Sequence, residues 1–273
     1  MKIDAILSPA ELPALARRDL RDATCVVFDV LRATSTFVTA LHHGAKAIVP
    51  VSEIAEALAI RQKQPDILLG GERDGVRIRA AQTGSIDFNL GNSPREYTPE
   101  KVRGKTIVST TTNGTRALRA CAGASTVLAA SFLNLTATAQ SIRQLQPAQI
   151  VLVCAGTREN IATEDVLAAG AFCEMLIWWG ETTGEPSGEQ KLSGSRGRSP
   201  HQNAYELSDS AESARRAYAQ AKSNLAEAIC RSENARRLLA IPELRDDVAF
   251  CLRQDVYNLI AVLGREGAIR ILI

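Results

Sequence analysis

The chain has 273 residues, enough for one large domain or two small ones, and its 45% hydrophobic content is ordinary for a folded α/β protein. Its 32 lysines and arginines against 30 acids leave a net charge of +2, which excludes a general electrostatic attraction to nucleic acid or to an anionic membrane. Aromatics at 4% are too sparse for base-stacking surfaces, and no segment reaches the apolar length of a membrane span.

In chain order, Met1–Pro9 lacks the long apolar core of a signal peptide, so a soluble, cytoplasmic protein is expected. Strand-like runs are predicted at 24–28, 46–51, 66–69, 105–109, 125–130 and 148–154, with helix-like runs at 33–43, 53–63, 113–121, 133–144 and 163–179 between them. Such alternation predicts an α/β fold with a largely parallel sheet flanked by helices. The stretch 24–63 and the stretch 105–144 repeat one pattern of strand, polar turn, helix, Gly-Ala, strand, Ser and helix, at an offset of about 80 residues. This echo predicts two internally similar halves whose polar turns face one cleft, within a single unit over 1–273. Between them, 70–98 lacks periodicity and is expected to be functional or disordered. The stretch 180–203, rich in Gly, Ser and Glu, is read as a flexible surface loop. From 207 to 253 the pattern is helical, broken at Pro242, with its charges read as a solvated face, and 269–273 is read as a last strand.

The six cysteines (25, 121, 154, 173, 230 and 251) show no Cys-x-x-Cys spacing, and at least five are read as buried small hydrophobes. Three histidines give no zinc signature.

Four clusters carry chemistry. Asp29 ends the first buried strand, with Arg32 and Ser35 one helical turn away; a carboxylate there can hold a divalent metal and an arginine an anion, or Asp29 can simply cap the helix. Glu72 and Arg73 follow the strand Ile67–Leu69 and read as a metal and anion site or as a plain ion pair. Ser109-Thr110-Thr111-Thr112-Asn113-Gly114-Thr115-Arg116 sets four hydroxyls and Asn-Gly at a strand-to-helix turn; it can cradle phosphate or sulfonate oxygens, or be a capped helix start, and it lacks P-loop spacing. Glu164 and Asp165 open a helix after Cys154-Ala155-Gly156-Thr157, which suits either the helix dipole or magnesium. A cysteine-phosphatase reading of Cys154 fails, because the arginine it needs six places on is Asn160.

Asp29-Val30-Leu31-Arg32-Ala33-Thr34-Ser35, Gly71-Glu72-Arg73, Leu90-Gly91-Asn92-Ser93-Pro94, Thr110 through Thr115 and Glu164-Asp165 together resemble, in order and over essentially the whole chain, the 2-phosphosulfolactate phosphatases. The resemblance implies a magnesium-dependent phosphatase that converts 2-phospho-3-sulfolactate to 3-sulfolactate and phosphate, with a place in coenzyme M biosynthesis. The site it implies has Asp29, Arg32, Glu72 and Arg73 as catalytic residues. Asp29, Glu72, Glu164 and Asp165 would gather around Mg²⁺, and Ser35, Asn92, Ser93, Thr111, Thr112, Asn113, Arg116 and Ser131 would bind substrate. The chain departs from the family pattern at Asp74, in the length of Val76–Phe88, and at Arg158-Glu159-Asn160, where glycines are expected. Leu31 stands where aspartyl-phosphate phosphatases carry a second Asp, which favours metal-activated water over attack by Asp29. The partner expected is a small anionic phospho-acid, with no nucleic acid or membrane, and a homo-oligomer is compatible. The alternatives are a phosphatase for another phospho-2-hydroxy acid and a non-catalytic anion-binding protein.

Overall fold

The computed structural model describes residues 1–182 and 205–272. Among these the frame is one eleven-stranded sheet. Its strands are β1 (Lys2–Ile6), β2 (Ala23–Phe28), β3 (Ala47–Val51), β4 (Leu68–Arg73), β5 (Val76–Arg77), β6 (Thr106–Thr110), β7 (Thr126–Ala130), β8 (Gln149–Cys154), β9 (Glu206–Leu207), β10 (Ala261–Leu263) and β11 (Ile269–Ile271). They stand in the order β5-β4-β6-β3-β11-β10-β7-β2-β8-β1-β9. The principal helices are α1 (Ala33–His42), α2 (Ile54–Lys63), α3 (Gly114–Ala120), α4 (Leu135–Leu145), α5 (Thr163–Thr182), α6 (Asp209–Ala221), α7 (Leu225–Cys230), α8 (Glu233–Leu239) and α9 (Arg245–Cys251).

The mostly parallel sheet expected from the alternation is present, with a division that the pattern did not carry. Strands β7, β2, β8, β1 and β9 run parallel as one block, and β3, β6 and β4 as a second. The antiparallel hairpin β10–β11 lies between them, pairing with β7 on one side and with β3 on the other. Three antiparallel junctions in succession mean that the two blocks run in opposite directions. The stretches 24–63 and 105–144 interlace across this frame, since β2 pairs with β7 and β3 with β6.

Strand β2 shows why a continuous apolar run becomes a central strand. Its residues are buried throughout, with Val26 and Phe28 in one hydrophobic cluster and Ala23, Cys25 and Val27 in the other. Side chains alternate across a strand, so burial on both faces needs no polar positions. Phe28 meets Phe172 of α5 edge-on, with ring centroids 6.0 Å apart. A smaller third cluster forms around Val51, Leu69, Phe88 and Val108. Five of the six cysteines are buried and Cys230 is half-buried.

Several boundaries differ from the sequence reading. Strand β4 runs on to Arg73 because Gly70 and Gly71 pair with Ser109 and Thr110 instead of turning. A side chain at Gly71 would place its Cβ 2.1 Å from the Thr110 carbonyl oxygen, so only glycine permits this approach. The stretch 70–98 is thus ordered, with a β4–β5 hairpin and buried Ile78, Phe88, Leu90 and Tyr97. Strands β1 and β10 carry no signal that the sequence reading used. Helix α5 continues through Thr182, so the loop expected at 180–203 begins inside a helix, and its remainder lies outside the described residues. Among the described residues no helix is long and apolar enough to cross a membrane.

Candidate active site

Residues at or just beyond the carboxyl ends of β2 and β8 from one block and of β4 and β6 from the other come together at one place. Between them lies a polar cavity of about 50 Å³. Asp29, Arg32, Glu72, Asn92, Thr112 and Asn113 line it, and so bring four separated sequence motifs together.

Of the two sequence readings of Asp29, the structure shows the cap. Its Oδ1 accepts the Ala33 amide at 3.1 Å and starts α1, while Thr34 Oγ1 donates to the Asp29 carbonyl. Oδ2 is left over. A Cβ built on Gly114 would stand 2.6 Å from that oxygen, so the glycine of Asn113-Gly114 lets α3 approach the carboxylate. Burial pushes the Asp29 carboxyl up to about 7; repulsion from Glu72 and Glu164 adds to the rise, and the Ala33 hydrogen bond and Arg32 oppose it.

Glu72 is buried with both oxygens engaged. Oε1 accepts from the Thr112 amide at 2.8 Å and from Thr112 Oγ1 at 2.9 Å, and Oε2 accepts from the Gly75 amide at 2.7 Å. The hydroxyl-rich turn therefore spends its Thr112 amide on a carboxylate, and Thr111 Oγ1 accepts the Thr115 amide within α3. Arg32 is buried and makes a 2.7 Å ion pair with Asp247 of α9, with a further bond to the Gly75 carbonyl. The other Asp247 oxygen accepts Ser93 Oγ at 2.7 Å.

Glu164 and Asp165 sit behind the cavity. Asp165 Oδ1 accepts the Val30 amide at 2.8 Å and Oδ2 the Gly156 amide at 3.0 Å, so it ties the β2 and β8 turns together. Burial, with Asp29 and Glu164 nearby, raises its carboxyl well above the usual range. Glu164 Oε1 accepts Asn234 Nδ2 at 2.8 Å, whereas its Oε2 is buried without a partner.

The structure places the other predicted residues outside the cavity lining. Ser35 Oγ donates to the Val30 carbonyl, and Ser131 Oγ accepts the Leu133 amide in a cap. Arg73 turns away to the carbonyls of Glu72 and Ser52 and to Thr110 Oγ1. Arg116 is exposed and pairs with Glu159 at 3.2 Å.

The remaining wall lies outside the residues predicted for the site. Asp74, Thr157, Arg158, Asn234, Arg237 and Leu238 also line the cavity. Asn234 and Arg237 come from α8, inside the stretch read as a solvated helical face. Asn234 Nδ2 bonds both Thr157 Oγ1 at 2.6 Å and Glu164 Oε1.

The donor set bears on a metal. Among the described residues no three His, Cys, Asp or Glu side chains gather tightly enough to form a ready coordination group. Asp29 Oδ2 and the orphaned Glu164 Oε2 are nonetheless carboxylate oxygens with unspent charge, and magnesium takes one or two carboxylates plus substrate oxygens and water. Both oxygens are of the type such an ion takes.

The sequence model of the 2-phosphosulpholactate phosphatase family matches residues 9–266. A protein of Thermotoga maritima named probable 2-phosphosulfolactate phosphatase is 35% identical over 261 residues, 96% of this chain and 95% of that protein. One of Thermotoga petrophila bearing the same name is 34% identical over the same shares. A namesake from Caldanaerobacter subterraneus subsp. tengcongensis is 46% identical over 161 residues, 58% of this chain and 64% of that protein.

Proposed function

The chain belongs to the 2-phosphosulpholactate phosphatase family, whose named members are phosphoric monoester hydrolases, and on that premise we propose that it hydrolyses 2-phospho-3-sulfolactate to 3-sulfolactate and phosphate with the help of Mg²⁺. One observation carries the reading. Asp29 and Glu72, from oppositely running blocks of the sheet, share a small buried cavity with Arg32.

Arg32 binds a phosphoryl oxygen with the guanidinium hydrogens not committed to Asp247 and Gly75, since a fixed fork of donors suits such oxygens. The ion pair holds that fork in place before substrate arrives, so little reorganisation accompanies the reaction. Asp29 Oδ2 and Glu164 Oε2 would hold Mg²⁺. When bound, the ion polarises the phosphoryl group and lowers the pKa of attacking water. The raised Asp29 carboxyl would be drawn back to its ionised form by the cation it holds. Glu72 fixes the Thr112–Asn113 turn and the Gly75 backbone around the reacting group. Thr112 Oγ1 and Asn92 supply the remaining polar wall. Soluble, cytoplasmic placement belongs to the same reading.

The test is phosphate release from 2-phospho-3-sulfolactate and a panel of small phospho-acids, each with Mg²⁺ and with a chelator. Release that needs Mg²⁺ and favours the sulfonate-bearing ester is expected. Binding of sulfolactate with no release from any ester would instead make the chain a non-catalytic anion-binding protein.

A further inference from the structure

Three guanidinium groups line the cavity, and they are not equivalent. Arg32 has a close buried counter-ion, Asp247 at 2.7 Å. Arg158, on the turn after β8, has among the described residues only Asp74 at 3.8 Å as a counter-ion. Arg237, on α8, has among the described residues only Glu233 at 3.8 Å, together with a hydrogen bond to Asn234 Oδ1 at 2.9 Å. Loose pairs of this kind are worth little and are easily exchanged for a better anion. Arg158 and Arg237 thus bring charge to the mouth of the cavity that the fold does not consume.

Their placement is held by backbone. Arg158 and Asp74 both adopt positive φ, at 57° and 54°, which directs these side chains to the cavity from opposite blocks of the sheet. The Arg158 amide is fixed by Asn113 Oδ1 at 3.1 Å. Arg237 lies over Gly75, whose added Cβ would sit 3.9 Å from Arg237 Cδ.

We propose that Arg158 and Arg237 form a two-sided clamp for the sulfonate, one of the two acid groups of the substrate that are not hydrolysed, and so set specificity. The assignment rests on the phosphatase reading. A sulfonate presents three oxygens in a tetrahedron and can accept from two guanidinium groups on different walls, whereas a planar carboxylate is best served by one bidentate fork. Substrate would displace Asp74, the loose counter-ion of Arg158 at 3.8 Å.

The experiment compares kcat/KM for 2-phospho-3-sulfolactate, for 2-phospholactate (no sulfonate) and for phosphorylated isethionate (no carboxylate), in wild type and in Arg158→Ala, Arg158→Lys and Arg237→Ala. Arg158 is exposed, so its variants test the clamp without a folding penalty. Each alanine variant is expected to lose about 10- to 100-fold of the preference for the two sulfonate-bearing esters over phospholactate, the size of one charged hydrogen bond. The loss should fall mainly on KM, and Arg158→Lys should recover part of it. Equal losses on all three esters, or no loss, would overturn the clamp. Calorimetric binding of 3-sulfolactate, which needs no turnover, separates the two readings. If wild type releases phosphate from none of the esters, the phosphatase reading falls. The clamp then stands on weakened 3-sulfolactate binding in Arg158→Ala and fails on unchanged binding.

Discussion

Replacing Asp247 by alanine isolates the contribution of a residue far from every motif in the sequence. Asp247 is fully buried, pairs with buried Arg32 at 2.7 Å and accepts Ser93 Oγ at 2.7 Å. Removing one partner of a buried pair strands the other charge, at a cost of about 3–5 kcal/mol. A chain of this size shifts its Tm by about 2–4 °C per kcal/mol, so the melting point should drop by roughly 6–20 °C. Asp247→Asn should cost less than Asp247→Ala, because its Oδ1 can still accept from Arg32 while its amide donates to Ser93 Oγ, although the guanidinium loses its counter-charge. The double variant Arg32→Met with Asp247→Leu should cost less than the sum of its single variants, since neither charge is left alone. Thermal melts and urea titrations of the four proteins measure this cycle. A loss below about 1 kcal/mol in Asp247→Ala, or additive single variants, would show that the pair is well solvated and would refute the reasoning.

Asp29→Asn should lower turnover by about two to three orders of magnitude in a folded protein, measured as phosphate release. In chelated buffer the same variant should alter the pH dependence of stability. The Asp29 carboxyl is raised from 3.8 to about 7 in the fold, so the folded state binds the extra proton and wild type loses stability as pH rises through that interval. Asp29→Asn should therefore be more stable than wild type at pH 8 and lose that advantage toward pH 4, as followed by melts across the range. Addition of Mg²⁺ should raise the Tm of wild type more than that of Glu164→Gln, because the orphaned Oε2 becomes an amide atom. Asn234→Ala leaves Thr157 and Glu164 without a shared donor and should cost about 1–3 kcal/mol by urea titration, with a fall in kcat/KM.

Much of this architecture is legible in the residues. Apolar runs ending in Asp29, Thr110 and Cys154 identify parallel strands, and turn residues after them mark the end of the sheet where a site forms. What could not be read is set by pairing at long range. The opposite senses of the two blocks depend on β10 and β11, each of three residues, too short to show a period. Arg116 stands in a phosphate-like motif, yet helical geometry turns it to solvent and to Glu159. Asn234, Arg237 and Asp247 belong to helices rich in charge whose pattern matches an exposed face. Only the docking of α8 and α9 over the strand ends makes them inward-facing. The sequence places Asp29 at a helix start but does not tell which of its oxygens caps that helix and which stays free of it.

The position of the β10–β11 hairpin has a consequence for biogenesis. Residues 261–271, late in the chain, occupy the middle of the sheet and supply the seam between two groups of strands formed earlier. As the polypeptide leaves the ribosome, β3 and β7 must wait with open flanks until that seam is synthesised. Contacts so distant along the chain make closure slow, and uncovered strand flanks invite association with neighbouring nascent chains.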